Sequence, residues 1–289
     1  MTNISIQVDK LSYTYAASPH LALDNVSFSA QTGSFIALIG ANNSGKSTLC
    51  QALTGFIPHF HHGEMSGRVL VGGLDTSRCQ LSDLVQMAGL VFQNPGNQLS
   101  GARFTVREEV AFGLENMGVP RAEMQARIEN ILNLVGIRNL ADVTPYELSG
   151  GQQQLAALAA MLVLEHQILV LDEPTSALDP SSSQRVFKLL HFWSRQGRTV
   201  ILVERKLEEI AGHCDRVLVL AAGKIVLDGP PAKVLADAAM NTYGIGRTRF
   251  THIAEQAAGL GFWPAGHPLP VTLQAALSGF EQSLKDSGS

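Results

Sequence analysis

The residues from Gly40 to Thr48 read GANNSGKST and meet the spacing G-x-x-x-x-G-K-[ST] at every required position. That spacing suits a polyphosphate. Gly40 and Gly45 let the backbone curl so that successive N–H groups, across Asn42, Asn43 and Ser44, face phosphate oxygens. Lys46 supplies a point charge for β- and γ-phosphates, Ser47 a hydroxyl for Mg²⁺, and Thr48 support on the α-phosphate side. Asn43 stands where many such loops carry glycine, and asparagine tolerates a left-handed backbone. A second chemical element, ILVLDEPT, ends an apolar run with Asp172 and Glu173. Asp172 at a strand tip suits Mg²⁺, and Glu173 suits the polarisation of an attacking water. Between the two lies LSGGQQQ. Ser149 can cap a helix there, while Gly150 and Gly151 expose amides at its start, which makes a second anion site with Gln152 beside it.

These residues need strands and helices to hold them. Ile4 to Val8 alternates apolar and polar residues, as do Val26, Phe28 and Ala30, which predicts an antiparallel pair. Phe35 to Ile39 is wholly apolar and runs into the glycine loop, and a helix is expected from near Gly45. From about Thr105 to Met161 strand signals vanish. Met124, Ile128, Ile131, Leu132 and Val135 recur with helical spacing, so a mostly helical insertion, about 100–165, is expected. Ile168 to Leu171 and Thr199 to Val203 read as buried strands, and Pro180 to Arg195 as a helix capped by Asp179 and ended by Gly197. Arg216 to Ala221 followed by Gly223 opens a strand-turn-strand unit. The expected class is α/β with a mostly parallel sheet: a main unit over 1–230 and a small C-terminal extension over 231–289.

The 289 residues carry 45% hydrophobic side chains, enough for a substantial core. A net charge of −4 argues against nucleic acid as a partner. Cys50, Cys79 and Cys214, widely spaced and odd in number, read as reduced thiols. No signal peptide and no run of about eighteen apolar residues is evident, so work at a membrane would depend on another polypeptide. His59, His61 and His62 in PHFHHG lack a carboxylate or cysteine to complete a metal site and read as a surface loop.

Phosphate loop, LSGGQ and ILVLDEPTSALD, in that order, resemble the ABC ATPase family, and LSGGQ is the element that other phosphate-loop enzymes lack. The resemblance implies a RecA-like core with an antiparallel β subdomain and a helical subdomain, binding ATP and Mg²⁺ and hydrolysing ATP. It implies a head-to-tail pair in which Ser149, Gly150, Gly151 and Gln152 of one subunit close over the ATP held by the other. By the same resemblance Gln93 in VFQNP contacts Mg²⁺ or water and Ser176 to Asp179 cross the interface. Tyr15 stacks on adenine, with Tyr13 as the competing candidate.

The sequence departs from the family twice. Arg205, in TVILVERKLEEI, occupies the place of the switch histidine; it can only donate hydrogen bonds and keeps its charge. Leu155 replaces the arginine usual after the LSGGQ run. The site built on Lys46 is therefore expected to turn over slowly, with Glu204 nearby as an acid for pairing with a base.

VFQNPGNQL, EEVAFGLENMGVP and LSGGQQQ together resemble the ATPases of energy-coupling factor importers of vitamins and transition-metal ions. That implies a second ATPase subunit, an integral membrane coupling protein and a substrate-binding membrane subunit. It also implies a peripheral location on the cytoplasmic face of the bacterial cell membrane. The VE before Arg205 is similar to members with two different ATPase halves and points to a heterodimer, with a homodimer as the alternative. A non-hydrolytic regulatory subunit, or a soluble ABC ATPase outside transport, are the competing functions.

Overall fold

A computed structural model describes residues 4–287. Strands β1 (Ile4–Tyr15) and β2 (Leu21–Gln31) pair antiparallel. Both run past their alternating stretch because of a bulge. Lys10 in β1 and Asn25 in β2 take positive φ, of 48° and 53°. Each flips the phase of alternation, so that Ile6 and Val8, then Leu11 and Tyr13, reach the same buried face.

Next come β3 (Phe35–Ile39), α1 (Lys46–Leu53), α2 (Phe56–His59), β4 (Gly63–Val71), β5 (Leu74–Asp75), α3 (Leu81–Met87) and β6 (Ala88–Val91). The helical stretch follows as α4 (Val106–Asn116), α5 (Arg121–Val135) and α6 (Gly150–Leu162). Between β6 and β7 the described residues form helices and no strand. Ile128, Ile131, Leu132 and Val135 of α5 are buried with Val106, Val110 and Leu114 of α4 and Leu158 and Leu162 of α6. The chain then returns to alternation with β7 (Ile168–Asp172), α7 (Pro180–Arg195), β8 (Thr199–Val203), α8 (Leu207–His213), β9 (Arg216–Ala221) and β10 (Lys224–Gly229). Asp179 caps α7 through its carboxylate, accepting from the N–H groups of Ser181 and Ser182, with Pro180 in the first turn as expected.

Two sheets result. The smaller is antiparallel in the order β2-β1-β4-β5, and the larger runs β10-β9-β3-β8-β7-β6, parallel except at β10. Strands β3, β7 and β8 are buried at every residue, which is why, apart from Asp172 at the end of β7 and Thr199 at the start of β8, their sequences are apolar runs rather than alternating ones. The carboxyl ends of β3, β6, β7 and β8 lead directly to Gly40, Phe92, Glu173 and Glu204, so the chemistry collects along one edge of the parallel sheet.

The tail contains α9 (Pro231–Val234), α10 (Ala239–Thr242), α11 (Arg249–Gly259) and α12 (Leu273–Ser287). Trp263 packs edge-on to Phe280 at 5.1 Å and lies over Gly279. The backbone N–H of Arg249 donates to Glu208 of α8 at 3.2 Å. Val234, Leu235, Met240 and Val271 are buried in the same cluster as the helical stretch. Among the described residues no helix is long and apolar enough to cross a membrane.

Candidate functional site

The loop after β3 has the curl its sequence requires. Asn43 (φ 60°) and Gly45 (φ 104°) are left-handed, and α1 begins at Lys46 with its N-terminus toward the loop. Lys46 is 8% exposed, and its ammonium donates to the carbonyls of Gly40 at 2.9 Å and Ala41 at 2.8 Å. Burial pulls its pKa down, opposed by the nearby Glu173 carboxylate. The Ser44 hydroxyl, buried in the loop, has no hydrogen-bond partner among the described residues.

Asp172 ends β7 and is buried. Burial pushes its pKa up, and a hydrogen bond from Ser47 opposes that rise. This hydroxyl and carboxylate are hard oxygen donors, the set a small dication prefers. Glu173 follows with φ 48°, its N–H donating to the Val203 carbonyl at 3.0 Å, so the turn out of β7 is fixed by β8. Both Glu173 side-chain oxygens are engaged. Oε2 accepts from the Gln93 amide at 3.0 Å, and Oε1 accepts from Arg205 Nε at 2.9 Å. Arg205 also donates to Asn42 Oδ1 at 2.7 Å. Gln93, Glu173, Arg205 and Asn42 thus form one chain of contacts from β6 to the phosphate loop.

Tyr15 lies on the other side of the loop, where it lines a cleft of about 280 Å³ with Asn43–Thr48. Its hydroxyl hydrogen-bonds Thr48 at 3.1 Å. Tyr13 is fully buried and donates to the His61 carbonyl at 3.1 Å, which removes it from that cleft. His59 is engaged with the Thr76 carbonyl at 2.8 Å.

LSGGQ stands apart. Ser149 is the N-cap of α6, with a reciprocal capping box: Gln152 N–H donates to its hydroxyl at 3.4 Å, and its own N–H donates to Gln152 Oε1 at 2.9 Å. Ser149, Gly151 and Gln152 share a cleft of about 580 Å³ with Ala177, Leu178 and Asp179, and none of these residues lines the Lys46 cleft. Leu155 is 6% exposed and forms a wall of it, so the usual arginine is replaced by a core contact. Glu204 does not pair with a basic side chain. Its carboxylate, 3% exposed, accepts instead from the N–H and hydroxyl of Thr175 and from the N–H of Arg205. Thr175, which closes the ILVLDEPT motif, and Lys206, which holds the Thr175 carbonyl, are polar residues beside the site to which the sequence pattern assigns no role.

The sequence pattern of the ABC transporter family matches residues 23–176, more than half of the chain. The chain belongs to that family. It is the ATP-binding subunit type, an ATPase coupled to transport. Among its ABC relatives, the energy-coupling factor transporter ATP-binding protein EcfA1 of Symbiobacterium thermophilum is 41% identical over 247 residues, covering 82% of this chain and 83% of that protein. A Methanosarcina acetivorans relative is 38% identical over 93% of this chain, which spans only 44% of that protein. In three dimensions the ABC fold is shared with cbiO1 from Clostridium perfringens, part of the ABC transporter complex cbiONQ. The TM-score is 0.71 at 32% identity, over 89% of this chain and 99% of that one.

Ser149→Ala removes the cap of α6, and a thermal melt should register a loss of about 0.5–2 kcal/mol. An unchanged melting curve would mean that Gln152 or water replaces the cap.

Proposed function

We propose that this chain powers uptake of a vitamin or metal-type micronutrient by an energy-coupling factor ABC transporter, from the cytoplasmic face of the membrane. Its partners in this reading are a second, different ATPase subunit, an integral coupling protein and a substrate-binding membrane subunit. Residues 1–230 would form the ATPase unit and 231–289 the extension. The kinship with EcfA1 and cbiO1 supports the transporter type. The match to less than half of a longer relative is in keeping with paired ATPase halves.

The single observation that carries the mechanism is Glu173 suspended between Gln93 and Arg205 beside the phosphate loop. Lys46, the loop amides and the free Ser44 hydroxyl would hold the phosphates, and Tyr15 would stack on adenine. Ser47 and Asp172, with Gln93, would hold Mg²⁺. When bound, Mg²⁺ supplies charge neutralisation to the phosphates. Glu173 would orient the attacking water and accept its proton. Ser149 to Gln152 would serve the partner's ATP, which their separate cleft supports.

Arg205 sets this site apart. A neutral histidine can accept a hydrogen bond from water, whereas a guanidinium cannot. Here it also engages the base: its Nε and Nη2 each lie 2.9 Å from Glu173 Oε1, so that oxygen would have to give up the guanidinium before it could accept from a water. Slow turnover at the Lys46 site follows, with most hydrolysis at the partner's site. In the assembled transporter Glu173→Gln should then leave more than half of the ATPase rate, a level at which the partner's site carries the flux. Loss of most hydrolysis in that variant would overturn the unequal-site reading. The same Arg205–Glu173 pair favours, as a second reading, a regulatory subunit that binds without turnover. ATP-dependent dimerisation of the purified pair with no phosphate release would single it out.

A further inference from the structure

The three residues after β8 send their side chains to different places. Arg205 is the exposed one, 57% by side chain, and reaches the Asn42 amide of the phosphate loop and the Glu173 carboxylate. Its neighbours turn inward. Glu204 Oε1 accepts from the Thr175 N–H at 3.2 Å and from the Thr175 hydroxyl, while Oε2 accepts from the N–H of Arg205 at 2.8 Å. Lys206 Nζ donates to the Thr175 carbonyl at 2.9 Å and to the Ser183 hydroxyl at 2.8 Å.

Thr175 is therefore gripped at all three of its polar groups by the residues that flank Arg205. Thr175 and Ser183 are buried, at 0% and 1% exposed. They bracket Ser176–Asp179, whose first two residues are exposed. Ala177 to Asp179 and Ser182 wall the cleft that also contains Ser149, Gly151 and Gln152. The Ala177 carbonyl would lie 2.9 Å from a Cβ on Gly151, so the segment and the start of α6 are in close contact.

We propose that Glu204 and Lys206 are positioning residues. They transmit the state of Arg205 in this chain's own ATP site to the segment 175–183 and hence to the LSGGQ face offered to the partner. The physical reason is the sharing of atoms. The Arg205 N–H is itself held by Glu204, so a change in its backbone as the guanidinium leaves Glu173 for a phosphate perturbs the carboxylate that fixes Thr175. Lys206, on the following residue, perturbs the same threonine from its carbonyl side. The two anion-binding ends of the chain become coupled through one residue rather than through the bulk of the fold. The inference rests on the reading that ATP held at Lys46 engages Arg205.

The test is hydrogen exchange of peptides covering 174–183 and 149–155 in the full chain. It is run at a concentration where size exclusion shows a monomer, with and without MgATP, with ATP affinity measured on the same samples by a fluorescent ATP analogue. In the unaltered chain MgATP should change exchange in both segments by about fivefold or more. Lys206→Met and Glu204→Gln should each remove most of that change while ATP affinity stays within about threefold, and Lys206→Arg should restore it. A brace that only holds the fold would lower the melting temperature but leave the ATP-induced change intact. That outcome overturns the proposal, as does an unaltered chain that binds MgATP with no response at 174–183. Loss of ATP binding in Lys206→Met would also overturn it, by making the residue part of the binding site. Failure of the unaltered chain to bind MgATP would instead sink the reading of the Lys46 site.

Discussion

Lys46→Met abolishes high-affinity MgATP binding at this chain's own loop and leaves the apo fold as stable as before or more so. The ammonium is nearly buried and is held by two loop carbonyls, so it is already in place for incoming phosphate oxygens. Charge-assisted hydrogen bonds are worth about 1.5–3 kcal/mol each, so losing two that the ammonium would donate to phosphate oxygens raises Kd by roughly 100-fold or more. Titration with a fluorescent ATP analogue reads this directly, and a loss under about tenfold would remove Lys46 from the phosphate site. Stability moves the other way because burial penalises the charge. The folded-state pKa lies below the ordinary lysine value of 10.5, so between the two the unfolded chain binds more protons. Stability of the unaltered chain relative to Lys46→Met should therefore rise as pH climbs through that window and level off above it. Denaturant melts of both proteins over the alkaline range provide the comparison, and a relative stability that falls there contradicts the burial argument.

Gly40→Ala is the second large effect, and it damages fold and binding together. A Cβ there would lie 2.2 Å from the Leu220 carbonyl oxygen and 2.5 Å from the Ser44 hydroxyl. Leu220 lies in β9 inside the larger sheet, is paired with Ile225 of β10 and follows Val219, which pairs with Ile39 of β3, so it cannot withdraw without disturbing the sheet. Overpacking of this kind costs about 1–3 kcal/mol. In a chain of this size that is a melting-temperature drop of roughly 2–5 °C. ATP affinity should fall with it, because the first turn of the loop is displaced. Gly150→Ala is the matched control: its Cβ would meet nothing within 4 Å, so the monomer's melting temperature should hold. Equal destabilisation by both substitutions would show that the loss reflects glycine content and not the contact with Leu220.

How much of this was legible depended on where the determinants lie. The phosphate loop, the buried strands around Ile36 and Val170 and the Asp179–Pro180 helix start were readable because each is local, a matter of neighbouring residue types. The true reach of β1 was not. A left-handed Lys10 has no signature in residue type, so the sequence alternation breaks after Val8 where only its phase changes. Arg205 was visible as a departure from pattern, but its meaning lay in Glu173 and Asn42, 32 and 163 residues away. Thr175 and Lys206 escaped notice for a related reason. The threonine lies inside ILVLDEPT but has no role there by residue type, the lysine belongs to no motif, and the importance of both comes from burial and from partners brought together by the sheet. Glu204 was expected beside a base and instead satisfies its carboxylate with a hydroxyl and two amides, a solution open only to a buried turn.

The tail looks like an appendix in the sequence, yet Val234, Leu235, Met240 and Val271 are buried in the cluster that also contains Phe187, Leu190 and Leu202. Thermodynamically it is one with the ATPase unit: these side chains can reach water only when the shared core opens. The stretch from Pro231 to Val271 therefore melts with the rest in one cooperative transition. A lineage could not shed it in a single step without also re-facing the apolar surface that it covers.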